Sequence, residues 1–291
     1  MKGNSALAVI GAEGFIGGSL VEIWRKKSIE IVAPTEEELD ITDKEAIDKF
    51  VSTSPADGIV LLAAWTDVDG AEKNPEKAKR VNTEGAGIVA GAAKKYNKFL
   101  VYISTDFVFP GTSGKPGPYS EEIKPDINSA DIGVYAKSKL GGENAIARVG
   151  GEYAIVRIAF PFGNYNSERD YLRKLIESVK KGHGLFTDQV ITPTYIPDLA
   201  EAILIIVQNR YKGIFHVATY PPTSPYNLGK YFLEKKEEHF KIKEGSVSDY
   251  LKNPNIAKRP IKGGLLCDRT QEKLRIEFHN WKKAIDETLL L

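Results

Sequence analysis

Cysteine is nearly absent from this chain: Cys267 is the only one among 291 residues. That excludes a disulfide framework and a structural zinc site built on several thiolates. Histidine is scarce as well. His183, His216, His239 and His279 are scattered, none at ligand spacing from another histidine or from Cys267, so structural or exposed roles are expected and no metal site is. Long apolar runs are missing too. The most apolar later stretch, residues 203–207, is far too short to span a bilayer. The opening Met1-Lys2-Gly3-Asn4-Ser5 has neither the length nor the flanks of a signal peptide. A soluble, cytoplasmic protein without a membrane partner is the expectation. Nor does one sign of charge prevail. Forty basic residues face thirty-nine acidic ones, a formal charge of +1, so no global field favours nucleic acid, and an anionic ligand needs a local site. A Gly-x-Ser-x-Gly elbow is also absent, which leaves serine hydrolase chemistry without support.

What is present is an alternation. Short apolar runs at residues 6–10, 29–33, 58–62, 99–103 and 153–157 read as strands. Amphipathic stretches at 15–27, 43–52, 74–96 and 134–147 read as helices, the third opening on Asn74-Pro75 as N-cap and first helical residue. Strands that are apolar throughout, separated by helices, indicate a parallel sheet covered on both faces. The expected fold class is α/β, a Rossmann-type doubly wound parallel sheet with a smaller C-terminal substrate lobe. Residues 1–158 are expected to form the dinucleotide-binding domain, and 159–291 mainly the substrate-binding lobe, with some segments returning to the main sheet. In this second part helices are expected at 169–180, 197–208, 228–238 and 281–290, and short strands near 185–186, 214–217 and 241–242. Lys235-Lys236-Glu237-Glu238 reads as a solvated helix face. Between residues 109 and 133 the pattern stops and glycine and proline recur, which suggests a lid or a binding loop.

Gly11-Ala12-Glu13-Gly14-Phe15-Ile16-Gly17 follows the first strand and opens the first helix. The first glycine permits a tight turn, the second lets backbone approach a pyrophosphate, and the third lets helix pack on strand. The helix start adds unpaired N–H groups and a positive partial charge. The spacing is G-x-x-G-x-x-G, and its position at the first strand–helix junction of a βαβ series is what points to a dinucleotide. Whether that is NADPH or NADH stays open: Ala33-Pro34-Thr35 ends the second strand with neither an acid nor an arginine, and Glu36, Glu37 and Glu38 follow.

Tyr135 and Lys139 lie four residues apart on a predicted helix, hence on one face. Carbonyl reduction needs a hydride at carbon and a proton at oxygen. A neighbouring ammonium favours the phenolate and would bring a phenol pKa of about 10 closer to neutrality. Ser104-Thr105-Asp106 ends the fourth strand, and ligands of open α/β sheets bind beyond such carboxyl ends, so the Thr105 hydroxyl can polarise a carbonyl there.

These pieces recur in a known order. Leu39-Asp40-Ile41-Thr42-Asp43, residues 63–72 (from Ala63-Ala64-Trp65), Val81-Asn82 and Ser104-Thr105-Asp106-Phe107-Val108-Phe109 follow the glycine turn. Then come Tyr135-Ala136-Lys137-Ser138-Lys139-Leu140, Asp188-Gln189, Pro193-Thr194-Tyr195, Asp198-Leu199-Ala200, Gly213-Ile214-Phe215-His216, Arg259-Pro260 and Trp281-Lys282-Lys283-Ala284. Nearly end to end, the chain resembles the dTDP-4-dehydrorhamnose reductase family, extended short-chain dehydrogenases that reduce a 4-keto nucleotide sugar. The resemblance implies Thr105, Tyr135 and Lys139 as catalytic residues. It implies a cofactor, NADPH or NADH, lined by Gly11, Gly14, Phe15, Ile16, Gly17, Asp40, Ile41, Ala63, Ala64, Trp65, Tyr135 and Lys139. Thr105, Asp106 and Phe160 would meet a nucleotide-sugar substrate, and Arg259 is assigned by position to its diphosphate. A homodimer is the one assembly it suggests.

The substrate half departs from the family pattern more than the cofactor half. Residues 123–133 are longer than usual, Phe107 replaces a tyrosine and Phe160 a tryptophan, Val190-Ile191-Thr192 replaces a glycine-containing turn, and Gly263-Gly264 stands where a serine is expected. Two alternatives accompany the reductase reading. One is a non-catalytic NADP-binding subunit similar to the regulatory subunit of methionine adenosyltransferase. The other is a nucleotide-sugar epimerase or dehydratase; for a dehydratase, Asp106 followed by Phe107 lacks the expected carboxyl pair.

Overall fold

The continuous apolar runs satisfy their backbone groups by pairing with one another. A computed structural model describes residues 6–237 and 241–290. Its strands are β1 (Leu7–Ile10), β2 (Ile31–Val32), β3 (Gly58–Leu61), β4 (Phe99–Thr105), β5 (Tyr153–Ile158), β6 (Leu185–Phe186), β7 (Gly213–Val217) and β8 (Glu244–Gly245). Six of them form one all-parallel sheet in the order β2-β1-β3-β4-β5-β7, and β6 pairs with β8 apart from it. Every residue of β1, β3 and β4 is buried. The strand order reverses beside β1, so a crevice opens between the carboxyl ends of β1 and β3.

Helices cover both faces. In chain order they are α1 (Phe15–Lys26), α2 (Lys44–Thr53), α3 (Val68–Lys73), α4 (Pro75–Lys79), α5 (Ala86–Lys95), α6 (Val134–Val149), α7 (Tyr171–Lys180), α8 (Ile196–Gln208), α9 (Pro225–Lys235), α10 (Val247–Tyr250), α11 (Asp268–Leu274) and α12 (Trp281–Thr288). On one face α1 and α8 pack on the sheet through Leu20, Trp24, Leu199 and Ile203. The Trp24 indole is fully buried and donates to the Ala200 carbonyl at 3.1 Å, which ties the two helices. On the other face α2 and α5 bury Ile47, Val51 and Val89. A separate cluster around Leu172, Ile176, Phe232 and Trp281 joins α7, α9 and α12. None of the described residues forms a helix long and apolar enough to cross a membrane.

Several local expectations change. The single helix expected over 74–96 is broken into α4, a π-helical turn (Arg80–Gly85) and α5. The wider turn faces Asn82 inward, and its side chain takes over bonding to the chain after β3. Asn74 makes no N-cap bond; its amide turns back to the Gly70 carbonyl of α3. Helices α3, α10 and α11 were not anticipated. The strand expected at 241–242 lies at β8, where Gly184 and Gly245 allow close backbone approach to β6. Helix α9 ends at Lys235, so Lys236 and Glu237 leave it rather than extend a helix face; Glu238 and His239 lie outside the described residues. The 109–133 stretch does lack regular elements, but it is no free lid. Backbone bonds from Gly117 to Lys262, Tyr119 to Gly264 and Leu266 to Tyr119 pin it to the C-terminal tail, and Tyr119 stacks on Phe109 at 4.2 Å.

Candidate active site

The glycine turn has the shape its spacing implies. Gly11 is left-handed, with φ of +95°, and a Cβ there would stand 2.4 Å from the Ala63 nitrogen. A Cβ on Gly17 would reach 2.2 Å from the Gly11 carbonyl. Both glycines are thus required by backbone approach. At Gly14 a Cβ would meet only the Gly11 carbonyl, at 3.3 Å, and otherwise project into open space. Helix α1 begins there without a side-chain cap or an acid in its first turn. The N–H groups of Phe15, Ile16 and Gly17 find no acceptor among the described residues. An open cradle of amide donors at a helix start fits a dinucleotide pyrophosphate.

The chain after β3 borders this cradle. Ala63 donates to the Ile10 carbonyl at 2.9 Å, and Asn82 grips Trp65 by accepting from its N–H at 2.8 Å and donating to its carbonyl at 3.0 Å. The other Asn82 amide hydrogen goes to the Ser138 hydroxyl at 2.9 Å, linking the Ala63-Ala64-Trp65 segment to α6. Ile41 is buried against Gly85, while exposed Asp40 accepts from Thr42 N–H at 2.8 Å in a local turn.

Tyr135, Lys139 and Glu143 line one face of α6, one turn apart, and all are buried. The Tyr135 ring meets Phe107 edge-on, 5.9 Å between centroids, and continues into Phe160 and Tyr171. Phe160 holds a left-handed backbone, φ +44°, a strained conformation of the kind that collects at ligand sites. The Thr105 hydroxyl accepts from the Phe107 N–H at 3.2 Å and lies 3.4 Å from Asp106 Oδ1. Asp106 Oδ2 is buried without a partner. Burial raises the Asp106 carboxyl to about 7, against a hydrogen bond from Thr105 that lowers it.

The expected lowering of the Tyr135 phenol by the ammonium is not found. Lys139 does not hydrogen-bond the Tyr135 phenol. Its ammonium donates to the Ile103 carbonyl at 2.8 Å and sits 4.1 Å above the Tyr102 ring. Burial lowers Lys139 to about 7, with the Glu143 carboxylate pulling the other way. Tyr135 is raised, first by burial and further by the Asp106 charge, while a hydrogen bond with Thr105 opposes both. The phenol is therefore protonated at neutral pH.

Beneath the site lies a network that sequence reading missed. Arg157 donates to both Glu143 oxygens, at 3.0 and 2.7 Å, and Ser104 donates to Oε1 at 2.5 Å. His216 completes it, one ring nitrogen 3.4 Å from Arg157 and the other 3.1 Å from the Leu266 carbonyl. Burial, and then the Arg157 charge, lower His216 to about 3, so it is a neutral structural histidine. A Glu one turn beyond Lys139 was the available signal. Among the described residues no cluster suits a metal ion.

Arg259, assigned by position to the diphosphate, is already paired with an acid of the chain. Its guanidinium makes a two-point bond with Asp69, at 3.0 and 2.7 Å, and donates to the Ala257 carbonyl. The pair offsets its charge, and among the described residues its hydrogen bonds go to Asp69 and Ala257.

Comparison with known proteins agrees with this geometry. The family model described as the RmlD substrate binding domain matches residues 5–290. The dTDP-4-dehydrorhamnose reductase of Aggregatibacter actinomycetemcomitans is 30% identical, with 96% of each chain covered. That of Mycobacterium tuberculosis (strain H37Rv) is 34% identical over 81% of this chain and 77% of its own. A crystal structure of dTDP-4-dehydrorhamnose reductase from Bacillus anthracis in complex with NADP superposes with a TM-score of 0.88 at 26% identity, over 99% of both chains.

Proposed function

We propose, from the premise that this chain belongs to the RmlD substrate binding domain family, that it reduces a 4-keto nucleotide sugar at the expense of NADPH or NADH, converting dTDP-4-dehydro-L-rhamnose to dTDP-L-rhamnose. The observation that carries the reading is the buried Tyr135 phenol beside Thr105 at the rim where β4 ends. When bound, the reduced nicotinamide supplies the hydride that the carbonyl carbon gains. Gly14, Phe15, Ile16 and Gly17 hold the pyrophosphate, and Gly11, Asp40, Ile41, Ala63, Ala64 and Trp65 line the rest of the dinucleotide. Thr105 hydrogen-bonds the ketone oxygen and Tyr135 gives it a proton. Lys139, as an ammonium, stabilises the phenolate left behind. Glu143, held by Arg157, opposes the loss of that ammonium's proton, against the larger effect of burial. Asp106 and Phe160 face the sugar. Residues 1–158 carry the dinucleotide and 159–291 mainly the substrate, with β7 returned to the sheet. Relatives named as reductases favour turnover over a non-catalytic subunit.

The test is a panel of dTDP-, UDP- and GDP-linked 4-keto-6-deoxy sugars with each reduced dinucleotide. Oxidation of the dinucleotide should be fastest with the dTDP sugar. Binding of dinucleotide without turnover on any sugar would overturn the reading in favour of the non-catalytic alternative.

A pH dependence follows from the charges. Tyr135 alone would supply protons well beyond pH 9, because its phenol is raised. Lys139 loses its proton near 7 and Asp106 ionises near 7. Above that value the phenolate loses its ammonium and gains an adjacent carboxylate, and both changes oppose proton release. The rate kcat should therefore be level at mildly acid pH and fall above about pH 7. A kcat profile still level at pH 9 would refute this assignment.

A further inference from the structure

The glycine turn suits either dinucleotide, and the rim beyond β2 bears on the choice between them. In an open α/β sheet the adenosine ribose lies between the glycine turn and the end of the second strand, where an acid takes its 2′-hydroxyl or an arginine its 2′-phosphate. Here the two borders are tied by a carboxylate. Glu13, inside the glycine turn, accepts from the Glu36 N–H through Oε2 at 2.7 Å. Its other oxygen has no partner among the described residues and keeps full acceptor capacity. Glu38 accepts from the Thr35 N–H at 2.9 Å, and the Glu38 N–H goes to the Thr35 hydroxyl at 3.2 Å. The backbone N–H groups of residues 35, 36 and 38, which could have formed a phosphate cradle, are thus already engaged, two of them by carboxylates.

The stretches of chain at these borders carry no cation of their own. Residues 6–24, 28–43 and 59–72, which carry the ends of β1, β2 and β3, contain no lysine or arginine. Arg80 donates to the Thr42 hydroxyl at 3.2 Å. Glu13, Glu36, Glu37 and Glu38 are all exposed, and they follow the ends of β1 and β2 that border the ribose position in such sheets. A 2′-hydroxyl gains an acceptor there. A 2′-phosphate gains only like charge.

We propose that this rim selects NADH over NADPH, Glu13 accepting from the ribose hydroxyl while Glu36, Glu37 and Glu38 join it in repelling a 2′-phosphate. The proposal rests on the dinucleotide reading of the glycine turn and concerns its specificity alone.

The test is direct binding, by titration calorimetry or nicotinamide fluorescence on the full chain without sugar, so that turnover plays no part. NADH should bind at least tenfold more tightly than NADPH at low ionic strength. Because the discrimination is coulombic, the ratio should shrink several-fold in 0.5 M salt. The double variant Glu13→Gln, Glu36→Gln should narrow it as well, since the glutamine at 13 can still accept from residue 36 through its carbonyl. Equal or tighter binding of NADPH by the parent chain would overturn the preference and leave the reductase reading standing. Failure of both dinucleotides to bind would overturn the preference and the reductase reading together.

Discussion

Tyr135→Phe is expected to lower kcat by about a thousandfold, within the roughly 10²–10⁴ contributed by a positioned general acid, while the dinucleotide still binds. The ring of Tyr135 packs edge-on against Phe107 and is buried, and phenylalanine preserves that packing. What disappears is the one group next to Thr105 that is protonated throughout the neutral range. Lys139 donates to the Ile103 carbonyl and makes no hydrogen bond to the phenol. The measurement is single-turnover oxidation of reduced dinucleotide with a 4-keto sugar, beside a binding titration. A variant that keeps more than a tenth of the parent rate would remove Tyr135 from the proton transfer. One that loses dinucleotide binding would make its role structural.

The parts of this site that sequence reading reached are those in which a periodic or local signal fixes position. Strands β1, β3 and β4 were legible because they are apolar throughout, which only a doubly covered parallel sheet requires. The glycine turn was legible because each glycine answers a backbone contact within a few residues or one strand away. Spacing placed Tyr135 and Lys139 on one face, but spacing does not choose rotamers, and the Lys139 ammonium found a strand-end carbonyl rather than the phenol. Helices α3 and α10 escaped notice because they are too short to show a period; each is started by one capping side chain, Asp67 or Ser246. The ion pair of Arg259 was not legible because its partner, Asp69, is 190 residues away. No local pattern announces such a pair. The π turn likewise shows only as a buried Asn82 whose partners lie on other elements.

Asp106 is expected to be a residue the fold would be more stable without at alkaline pH. Its carboxyl is 2% exposed, one oxygen has a long contact to Thr105 and the other has none. Burial raises it from 3.8 to about 7. A carboxyl raised in the folded state contributes stability that is full below pH 4 and lost as pH climbs through 7. Above 7 the lost amount approaches about 4 kcal/mol, three pKa units at about 1.4 each. Asp106→Asn removes the charge but leaves an amide N–H₂ short of acceptors, a penalty of about 1–3 kcal/mol. The variant should therefore be more stable than the parent by about 2 kcal/mol at pH 8 and less stable near pH 4, with a crossing between. Urea unfolding at the two pH values reads this directly, and a variant weaker at both would refute it. The same substitution should reduce kcat/KM for the keto sugar, because Asp106 is a polar group beside Thr105 at the substrate rim. A chain that retains a buried carboxyl at such a cost to its own stability does so where the group serves binding or chemistry rather than folding.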